Sequence, residues 1–405
     1  MITRILHTSD WHIGRRLKEH DRTEEFAAFF DWLEKLITSE KIDTLLVAGD
    51  IFDNTTPSVQ AQDMYYSFLS RLVESPCRHV VITSGNHDSP AFLDAPADLL
   101  KHCRIHVIGQ PRENAADEVI TLYDSYGQPE VIVCAVPYLR DRDVRTLTPD
   151  DNPEDSDAIL KAGIREHYAK VFAHVRELQG DSDVPIIAMG HMFIHGGVIR
   201  PDDGVRSLYV GTAIDVESSI FPEDIAYTAL GHLHSPQKAG RENARYSGSP
   251  IPMGFGEAGT RKSVCIVEVY GKNLAGVREV DIPVFQRLER VSGNMEEIFS
   301  ALNTLAKLNV SVWADVTYTG EEAAPDLQEK LHAFMRAFPL VEILSVYDTS
   351  KRQDGSLPEV PDGLDSVNPM EMLELCFKDN NVSQEQRDIF TPMYQEILRG
   401  LEVDY

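Results

Sequence analysis

The stretch Val80-Val81-Ile82-Thr83-Ser84-Gly85-Asn86-His87-Asp88 decides the fold, because an apolar run passes directly into a polar cluster led by glycine. That pattern predicts a buried parallel strand that ends in a loop. In open α/β sheets, ligands bind at the carboxyl ends of the strands, so this loop is placed where chemistry would occur. Taken alone, the Gly85-Asn86-His87-Asp88 tetrapeptide is equally compatible with a turn that caps a helix.

The same pattern occurs four more times, and each time a side chain that can bind metal follows an apolar strand. Together the strand ends supply seven candidate ligands: Asp10, His12, Asp50, Asn86, His191, His232 and His234. One of them alone could be a helix cap or a buried turn histidine, but five such loops indicate a metal site. Carboxylates, imidazoles and an amide without any thiolate favour Mn, Fe, Zn or Mg. Seven ligands favour two ions bridged by a shared carboxylate, an arrangement typical of phosphoester hydrolysis.

Amphipathic helical segments follow the first three strands, at residues 21–40, 58–74 and 91–101. Asp21 is the predicted N-cap of the first helix, with Glu24 as its capping-box partner. Strand, loop and helix repeated three times is typical of parallel βαβ units. The later strands are shorter and more antiparallel. We therefore predict an α/β fold for residues 1–272, a two-layered sheet sandwich flanked by helices.

The rest of the chain divides into three parts. Residues 280–348 have the order helix, strand, helix, strand and are predicted to form a small capping domain without chemistry of its own. Residues 349–368 are polar, contain two prolines and two glycines, and are predicted to be a linker. Residues 369–405 contain two short helices with more apolar residues than the pair could bury. A partner surface is the favoured explanation, and packing back onto the parent domain is the alternative.

Composition limits the location and the partners of the protein. The formal net charge is −27, which argues against a general nucleic-acid binder but not against a site where cations meet phosphate locally. The five cysteines form no Cys-x-x-Cys pair, which predicts reduced thiols. No stretch approaches 18 apolar residues, and the start of the chain has no export signal. We therefore predict a cytoplasmic protein.

The set of loop motifs resembles that of the calcineurin-like metallophosphoesterases, and more narrowly that of the SbcD-type nuclease subunits. The similarity extends over essentially the whole chain. Four longer motifs carry the narrower resemblance: Ser9-Asp10-Trp11-His12-Ile13-Gly14, Ala48-Gly49-Asp50-Ile51-Phe52-Asp53, Ser84-Gly85-Asn86-His87-Asp88-Ser89 and Gly248-Ser249-Pro250-Ile251-Pro252.

The resemblance implies a role for each candidate residue. Asp10, His12 and His234 would bind the first metal. Asn86, His191 and His232 would bind the second, and Asp50 would bridge the two ions. His87 would act as the general acid or transition-state donor, and Asp88 would orient its imidazole. Arg15, Arg16 and Arg206 are weaker candidates for phosphate contacts. Asp53 stands where some relatives have histidine.

The resemblance also implies the activity and the partners. Two Mn²⁺ ions, with Mg²⁺ or other divalent cations as alternatives, would support 3′→5′ exonuclease and endonuclease cleavage of DNA in recombination, replication and repair. The C-terminal helices would dock on the coiled coil of an SbcC-type ATPase. A homodimer within a heterotetramer is implied, with residues 58–74 and 90–101 as candidates for the contact. A phosphatase and an inactive scaffold with the same fold are the rival hypotheses. A phosphatase would have no need for residues 280–348. An inactive scaffold would be expected to have lost metal ligands, and none of the expected ligands is missing from this sequence.

Overall fold

The computed structural model describes residues 2–144, 156–198, 216–320, 324 and 326–349, with single helical positions between 373 and 394. Arg206, Cys376, nearly all of the predicted linker and most of the C-terminal helices lie outside the described residues. Residues 1–206 and 214–351 form one compact unit, and residues 207–213 with 352–405 form a second.

The strands in chain order are β1 (Thr3–Thr8), β2 (Thr44–Ala48), β3 (His79–Thr83), β4 (Ile105–Ile108), β5 (Val119–Tyr123), β6 (Pro129–Ala135), β7 (Ile186–His191), β8 (Tyr227–Gly231), β9 (Gln237–Lys238), β10 (Ala244–Tyr246), β11 (Ser263–Tyr270), β12 (Asn273–Asp281), β13 (Arg287–Gly293), β14 (Val312–Tyr318) and β15 (Val341–Asp348). The helices are α1 (Thr23–Glu40), α2 (Val59–Val73), α3 (Pro90–Asp94), α4 (Ala97–Lys101), α5 (Asp141–Val144), α6 (Ser156–Gln179), α7 (Met295–Ala306) and α8 (Leu327–Ala337).

Two six-stranded sheets form the larger part of the first unit. The first has the order β12-β11-β1-β2-β3-β4 and the second the order β5-β6-β7-β8-β10-β9. Strands β1 to β4 are parallel, as are β6, β7, β8 and β10, whereas β5, β9, β11 and β12 pair antiparallel at the sheet margins. The mixture of parallel and antiparallel strands confirms the predicted α/β sandwich.

Side chains point alternately to the two faces of each sheet, and this alternation produces four layers: helices, the first sheet, the second sheet and helices. On β1, Ile5 faces a core that the two sheets share, whereas Leu6 faces α1 and α2. On β7, Ile187 belongs to the shared core, and Ala188 packs beneath α6. Full burial of a large apolar side chain stabilises a protein by about 1.5–3 kcal/mol. The four layers therefore fix the sheets against each other with all their parallel strands buried.

The capping region has a parallel sheet of its own, with the order β13-β14-β15. Helices α7 and α8 cover one face, where β14 buries every second residue. The other face packs against the loop that follows β1: Leu17 lies in a cluster with Phe255 and Leu288. The ring of His20 lies 5.4 Å from that of Trp313, and Lys18 Nζ donates to the Tyr347 hydroxyl at 2.8 Å. The cap thus rests directly on the loop that carries the first candidate ligands.

The structure corrects three predictions of local structure. Helix α1 begins at Thr23 with Arg22 at its N-cap, so the Asp21–Glu24 capping box is wrong; Asp21 accepts the Thr23 N–H instead, at 2.8 Å. Residues 91–101 form two short helices, α3 and α4, rather than one. The cap begins with a strand, β13, that the predicted order of elements did not include.

Two further observations concern the described residues as a whole. None of their helices combines the length and the apolar composition needed to cross a membrane. Cys77, Cys103, Cys134 and Cys265 are all free thiols, as predicted, and all except Cys103 are buried.

In the second unit, the described positions are helical, and a few of their side chains are in contact. The rings of Phe377 and Phe390 lie 6.4 Å apart, and the Arg387 guanidinium lies 5.5 Å from the centre of the Phe377 ring. Phe377 is buried, whereas Phe390 is 46% exposed.

Candidate metal centre

The seven candidate ligands converge at the carboxyl ends of the central strands of both sheets. The first sheet supplies Asp10, His12, Asp50 and Asn86, and the second supplies His191, His232 and His234. Five of the seven are buried, whereas Asn86 and His232 are half-buried. Because these two residues are in contact with solvent, a substrate can reach the cluster from the side on which they lie.

Asp10, His12 and His234 form the first group, with one ligand atom from each within 4.8 Å of the others. The Nε2 atoms of His12 and His234 face each other at 3.1 Å. Metal–imidazole bonds are about 2.0–2.1 Å long, so two nitrogens on one ion at right angles lie about 3 Å apart. The spacing of the two rings therefore fits a shared cation.

Asn86, His191 and His232 form the second group. Asn86 Oδ1 lies 3.0 Å from His191 Nε2 and 3.1 Å from His232 Nδ1. The opposite nitrogen of His191, Nδ1, lies 3.1 Å from the carbonyl oxygen of Ala48. A carbonyl can only accept, so Nδ1 carries the proton and Nε2 of a neutral His191 presents its lone pair to the group.

Asp50 lies between the two groups. Its Oδ2 is 3.5 Å from His12 Nε2 and 3.3 Å from His191 Nε2. Its Oδ1 accepts the backbone N–H of His87 at 2.8 Å, which holds the carboxylate in place. The position is the one expected of a bridging carboxylate, and the donor set fits two divalent cations of the Mn²⁺ or Mg²⁺ type.

Two glycines allow the loops to approach this closely. Gly49 has a φ of +82°, and a Cβ on it would lie 2.0 Å from His191 Nδ1. A Cβ on Gly85 would lie 2.1 Å from Asp50 Oδ1. Any larger residue at either position would displace a candidate ligand, which is the physical reason for glycine beside the ligands in these motifs.

The charges of the side chains in the cluster favour the binding of a cation. Burial opposes the charge on Asp50, but the neighbouring imidazoles outweigh it and leave the pKa of Asp50 well below its usual value. Burial also opposes protonation of His191, yet the carboxylates of Asp50 and Asp10 raise its pKa to about 9. Burial and the charge on His191 lower the pKa of His232 to about 3. Without metal, the proton on His191 supplies positive charge that a bound cation would replace.

The structure contradicts the predicted contact between Asp88 and the His87 ring. His87 Nδ1 donates to the carbonyl oxygen of Asp53 at 2.9 Å. The Asp88 carboxylate instead accepts the backbone N–H groups of Gly85, Ile51 and Phe52, at 2.8, 3.1 and 2.9 Å. Burial and the charge of Asp50 raise the pKa of Asp88 to about 6, although these N–H groups favour the carboxylate. Asp88 therefore ties two site loops together and does not orient His87.

Of the three arginines predicted to contact phosphate, the two that the structure describes have different surroundings. Arg15 Nη1 pairs with Asp53 Oδ1 at 3.0 Å, and that carboxylate oxygen also lies 3.6 Å from His12 Nδ1. Arg16 is exposed and donates to the Glu19 carbonyl. Asp53 is thus placed against the outer edge of a candidate ligand, and Arg15 is held by Asp53.

Two parts of the site were missed in the sequence. The loop after β6 places the Tyr138 ring 6.1 Å from that of His191, and Arg140 donates to the Asp88 carbonyl at 3.0 Å. These two residues follow the apolar run Val131–Val136, so they carry the same signal in the sequence as the residues of the other five loops: polar side chains directly after a strand. The second part is Glu257, which lies against His234. Its position depends on a tertiary contact that no local pattern indicates.

Comparison with known proteins places the chain among nucleases. A family model described as calcineurin-like phosphoesterase matches residues 3–236, and one described as type 5 capsule protein repressor C-terminal domain matches residues 284–381. The SbcD component of the nuclease SbcCD from Escherichia coli K12 is 33% identical over 390 residues, which cover 95% of each chain. Its counterpart from Bacillus subtilis 168 is 32% identical over 359 residues, or 86% of this chain and 87% of that one. The Rhodobacter capsulatus counterpart is 34% identical over 313 residues, or 75% and 76%.

Proposed function

Since the chain belongs to the calcineurin-like phosphoesterases, and within them to the SbcD nuclease subunits, we propose that it cleaves DNA as the nuclease subunit of an SbcCD-type complex. The observation that carries the proposal is the convergence of seven ligand side chains from both sheets onto one buried cluster. A phosphodiester carries one negative charge shared by its two non-bridging oxygens, and more negative charge develops as hydroxide attacks the phosphorus. A pair of divalent cations would stabilise that charge.

Each candidate ligand has a proposed place. Asp10, His12 and His234 would hold the first ion, Asn86, His191 and His232 would hold the second, and Asp50 would serve both. The ions, which we propose to be two Mn²⁺, would supply positive charge that activates water and stabilises the phosphate. The protein holds two of these ligands in fixed orientations. The Ala48 carbonyl binds His191 Nδ1, and the backbone N–H of His87 binds Asp50 Oδ1.

His87 is the proposed general acid. Its Nδ1–H is bound to the Asp53 carbonyl, so the proton that it can transfer is the one on Nε2 of the imidazolium form. Its ring lies 4.8 Å from that of His12, a proposed ligand of the first ion, and His87 itself belongs to neither of the two proposed ligand groups. A proton donor beside the ligand groups can protonate the leaving 3′ oxygen of a DNA phosphodiester. The same role serves cleavage from the 3′ end and cleavage within a strand.

Replacing His87 by glutamine tests this role. We expect His87→Gln to lower DNA cleavage by about 10²–10⁴-fold, the usual contribution of a positioned acid. The manganese content should remain at two ions per chain, measured by elemental analysis after gel filtration. His234→Gln, which removes a proposed ligand, is the matched comparison and should lose metal. Loss of metal in His87→Gln would make it a ligand, and unchanged cleavage would remove it from the reaction.

The remaining parts of the chain have proposed roles in the assembly. Residues 1–272 form the nuclease domain, residues 280–348 the cap, residues 349–368 the linker, and residues 369–405 the helices that dock on the coiled coil of an SbcC-type ATPase. We propose a homodimer within a heterotetramer, located in the cytoplasm with the DNA. The exposed Val59 and Leu99 on α2 and α4 are candidates for the dimer contact.

A further inference from the structure

A buried ion pair lies directly behind the first metal group and has no part in the chemistry proposed so far. Glu257 is fully buried, and Lys262 is only 6% exposed. Both lie between β10 and β11, after the Gly248-Ser249-Pro250-Ile251-Pro252 motif. Burying two charges carries a large desolvation penalty that their mutual attraction often fails to repay. A pair at this position therefore indicates a purpose other than stability.

One oxygen of Glu257 is fully engaged by its own surroundings. Oε2 accepts the backbone N–H of Met253 at 2.9 Å and lies 2.5 Å from Lys262 Nζ. Lys262 also donates to the backbone carbonyl of His234 at 2.9 Å and to Ser249 Oγ at 2.7 Å. Lys262 thus fixes the carboxylate and the main chain of His234 at the same time.

The other oxygen of Glu257 points at the imidazole of His234. Oε1 is buried and lies 3.3 Å from His234 Nδ1, close enough to accept a hydrogen bond from that nitrogen. A carboxylate beside Nδ1 favours the tautomer with the proton on Nδ1, which leaves the Nε2 lone pair to face His12. In the second metal group, His191 Nδ1 instead lies 3.1 Å from the neutral Ala48 carbonyl oxygen, and the carboxylate oxygen Oδ1 of Asp10 is farther away, at 4.0 Å.

We propose that Glu257, held by Lys262, is a positioning residue that fixes the tautomer and direction of His234 and strengthens it as a ligand of the first metal. This inference rests on the proposed two-metal function. Charged partners behind a metal-bound histidine raise its donor strength, and their loss commonly weakens metal binding by about 10–100-fold. The effect should therefore be confined to the one ion that His234 binds.

Titration of the full-length, metal-free protein with Mn²⁺ alone tests the proposal. We expect Glu257→Gln to weaken one of the two Mn²⁺ sites by about 10–100-fold and to leave the other unchanged. Glu118→Gln is the matched control, because Glu118 is also a fully buried carboxylate paired with a histidine, His167, at 2.9 Å and away from the metal groups. An equal loss in both variants would assign the effect to general destabilisation and overturn the proposal.

The double variant Glu257→Gln/Lys262→Met separates positioning from charge balance. It removes the lone buried ammonium that Glu257→Gln leaves behind, so its melting temperature should lie closer to that of the wild type. Its Mn²⁺ affinity should remain as low as that of the single variant. Wild-type affinity in the double variant would overturn the proposal. Failure of the wild-type chain to bind two Mn²⁺ ions would instead overturn the proposed function.

A measurement on the wild-type protein needs no folded variant. Nitrogen-15 NMR of the imidazoles distinguishes the two neutral tautomers, and His234→Gln identifies the signal by its loss. In the metal-free protein, at a pH high enough for the His234 imidazole to be neutral, we expect its proton to be on Nδ1. A proton on Nε2 would overturn the proposed role of Glu257.

Discussion

Four proposed ligands have a backbone conformation that residues with a Cβ rarely adopt. The φ angles are +52° at Asp10, +48° at His12, +49° at Asp50 and +102° at His232. Such conformations cost about 1–3 kcal/mol each and persist only where the surroundings enforce them. Here the His12 N–H donates to the Asp50 carbonyl at 2.9 Å, and the His232 N–H donates to Asp10 Oδ1 at 2.8 Å. The ligand directions are thus set by the fold before any cation binds.

We expect one histidine buried in the core to affect the free energy of unfolding at acid pH. His7 on β1 is fully buried, its Nδ1 lies 3.0 Å from the Tyr227 hydroxyl, and burial lowers its pKa to about 3. The unfolded chain binds a proton near pH 6.5, whereas the native state does not until about pH 3. Stability contributed by neutral His7 is therefore complete above pH 6.5 and lost as pH falls, by up to about 1.4 kcal/mol per pH unit.

We expect His7→Asn to have a shallower loss of unfolding free energy between pH 6.5 and 4 than the wild type, measured by urea denaturation at several pH values. His174→Gln, on an exposed part of α6, is the control and should retain the wild-type slope. The same slope in all three proteins would show that His7 does not contribute to acid denaturation.

At the scale of elements, strongly patterned segments were predictable and weakly patterned ones were not. Helix α2 differs from its predicted bounds by one residue at each end, because Tyr65, Phe68, Leu69 and Leu72 are buried at helical spacing. Strand β13 was missed because its apolar pattern is weak. Of its seven residues, only Leu288 and Val291 are large, apolar and buried, and their burial depends on contacts with the cap and the β1 loop. The predicted ligands were found in one cluster because parallel strands end at a common edge. The partner of His87 was not predictable, since it is a backbone carbonyl.

The capping helix α7 begins with a complete capping box that local sequence specifies. Asn294 Oδ1 accepts the Glu297 N–H at 3.1 Å, and Glu297 Oε2 accepts the Asn294 N–H at 2.8 Å. We expect Asn294→Ala to destabilise the cap by about 1 kcal/mol. Urea unfolding followed by circular dichroism measures the change.

Asn303→Ala is the matched control for the capping box, because Asn303 lies inside the same helix and its side chain donates to the Phe299 carbonyl rather than to the start of the helix. Alanine has the higher helix propensity, so this variant should be as stable as the wild type or slightly more so. Equal destabilisation of the two variants would contradict a specific contribution from the capping box.

At the scale of the whole molecule, the C-terminal helices are the predicted link to the ATPase partner. Deleting residues 365–405 should abolish binding to an SbcC-type ATPase in gel filtration and leave Mn²⁺-dependent hydrolysis of bis-p-nitrophenyl phosphate unchanged. The reason is that every proposed ligand precedes residue 235, whereas the exposed apolar side chain Phe390 lies in the deleted part.

A single substitution narrows this test to the helical surface. Phe390→Asp should weaken complex formation, whereas Tyr126→Asp, at an exposed aromatic residue in the β5–β6 turn, should not. Retained binding in the deletion would indicate that the tail packs on its own parent chain.

The division of the ligands between two sheets has a consequence for how the protein is made. The facing imidazoles of the first metal group, His12 and His234, are 222 residues apart in the chain. A ribosome adds about 5–20 residues per second, so roughly 10–45 s separate the synthesis of the two rings. A nascent chain holds half a site during that interval and cannot retain the ion. The first metal group is therefore completed late in biosynthesis, and a chain that ends before His234 lacks one of the three proposed ligands of that group.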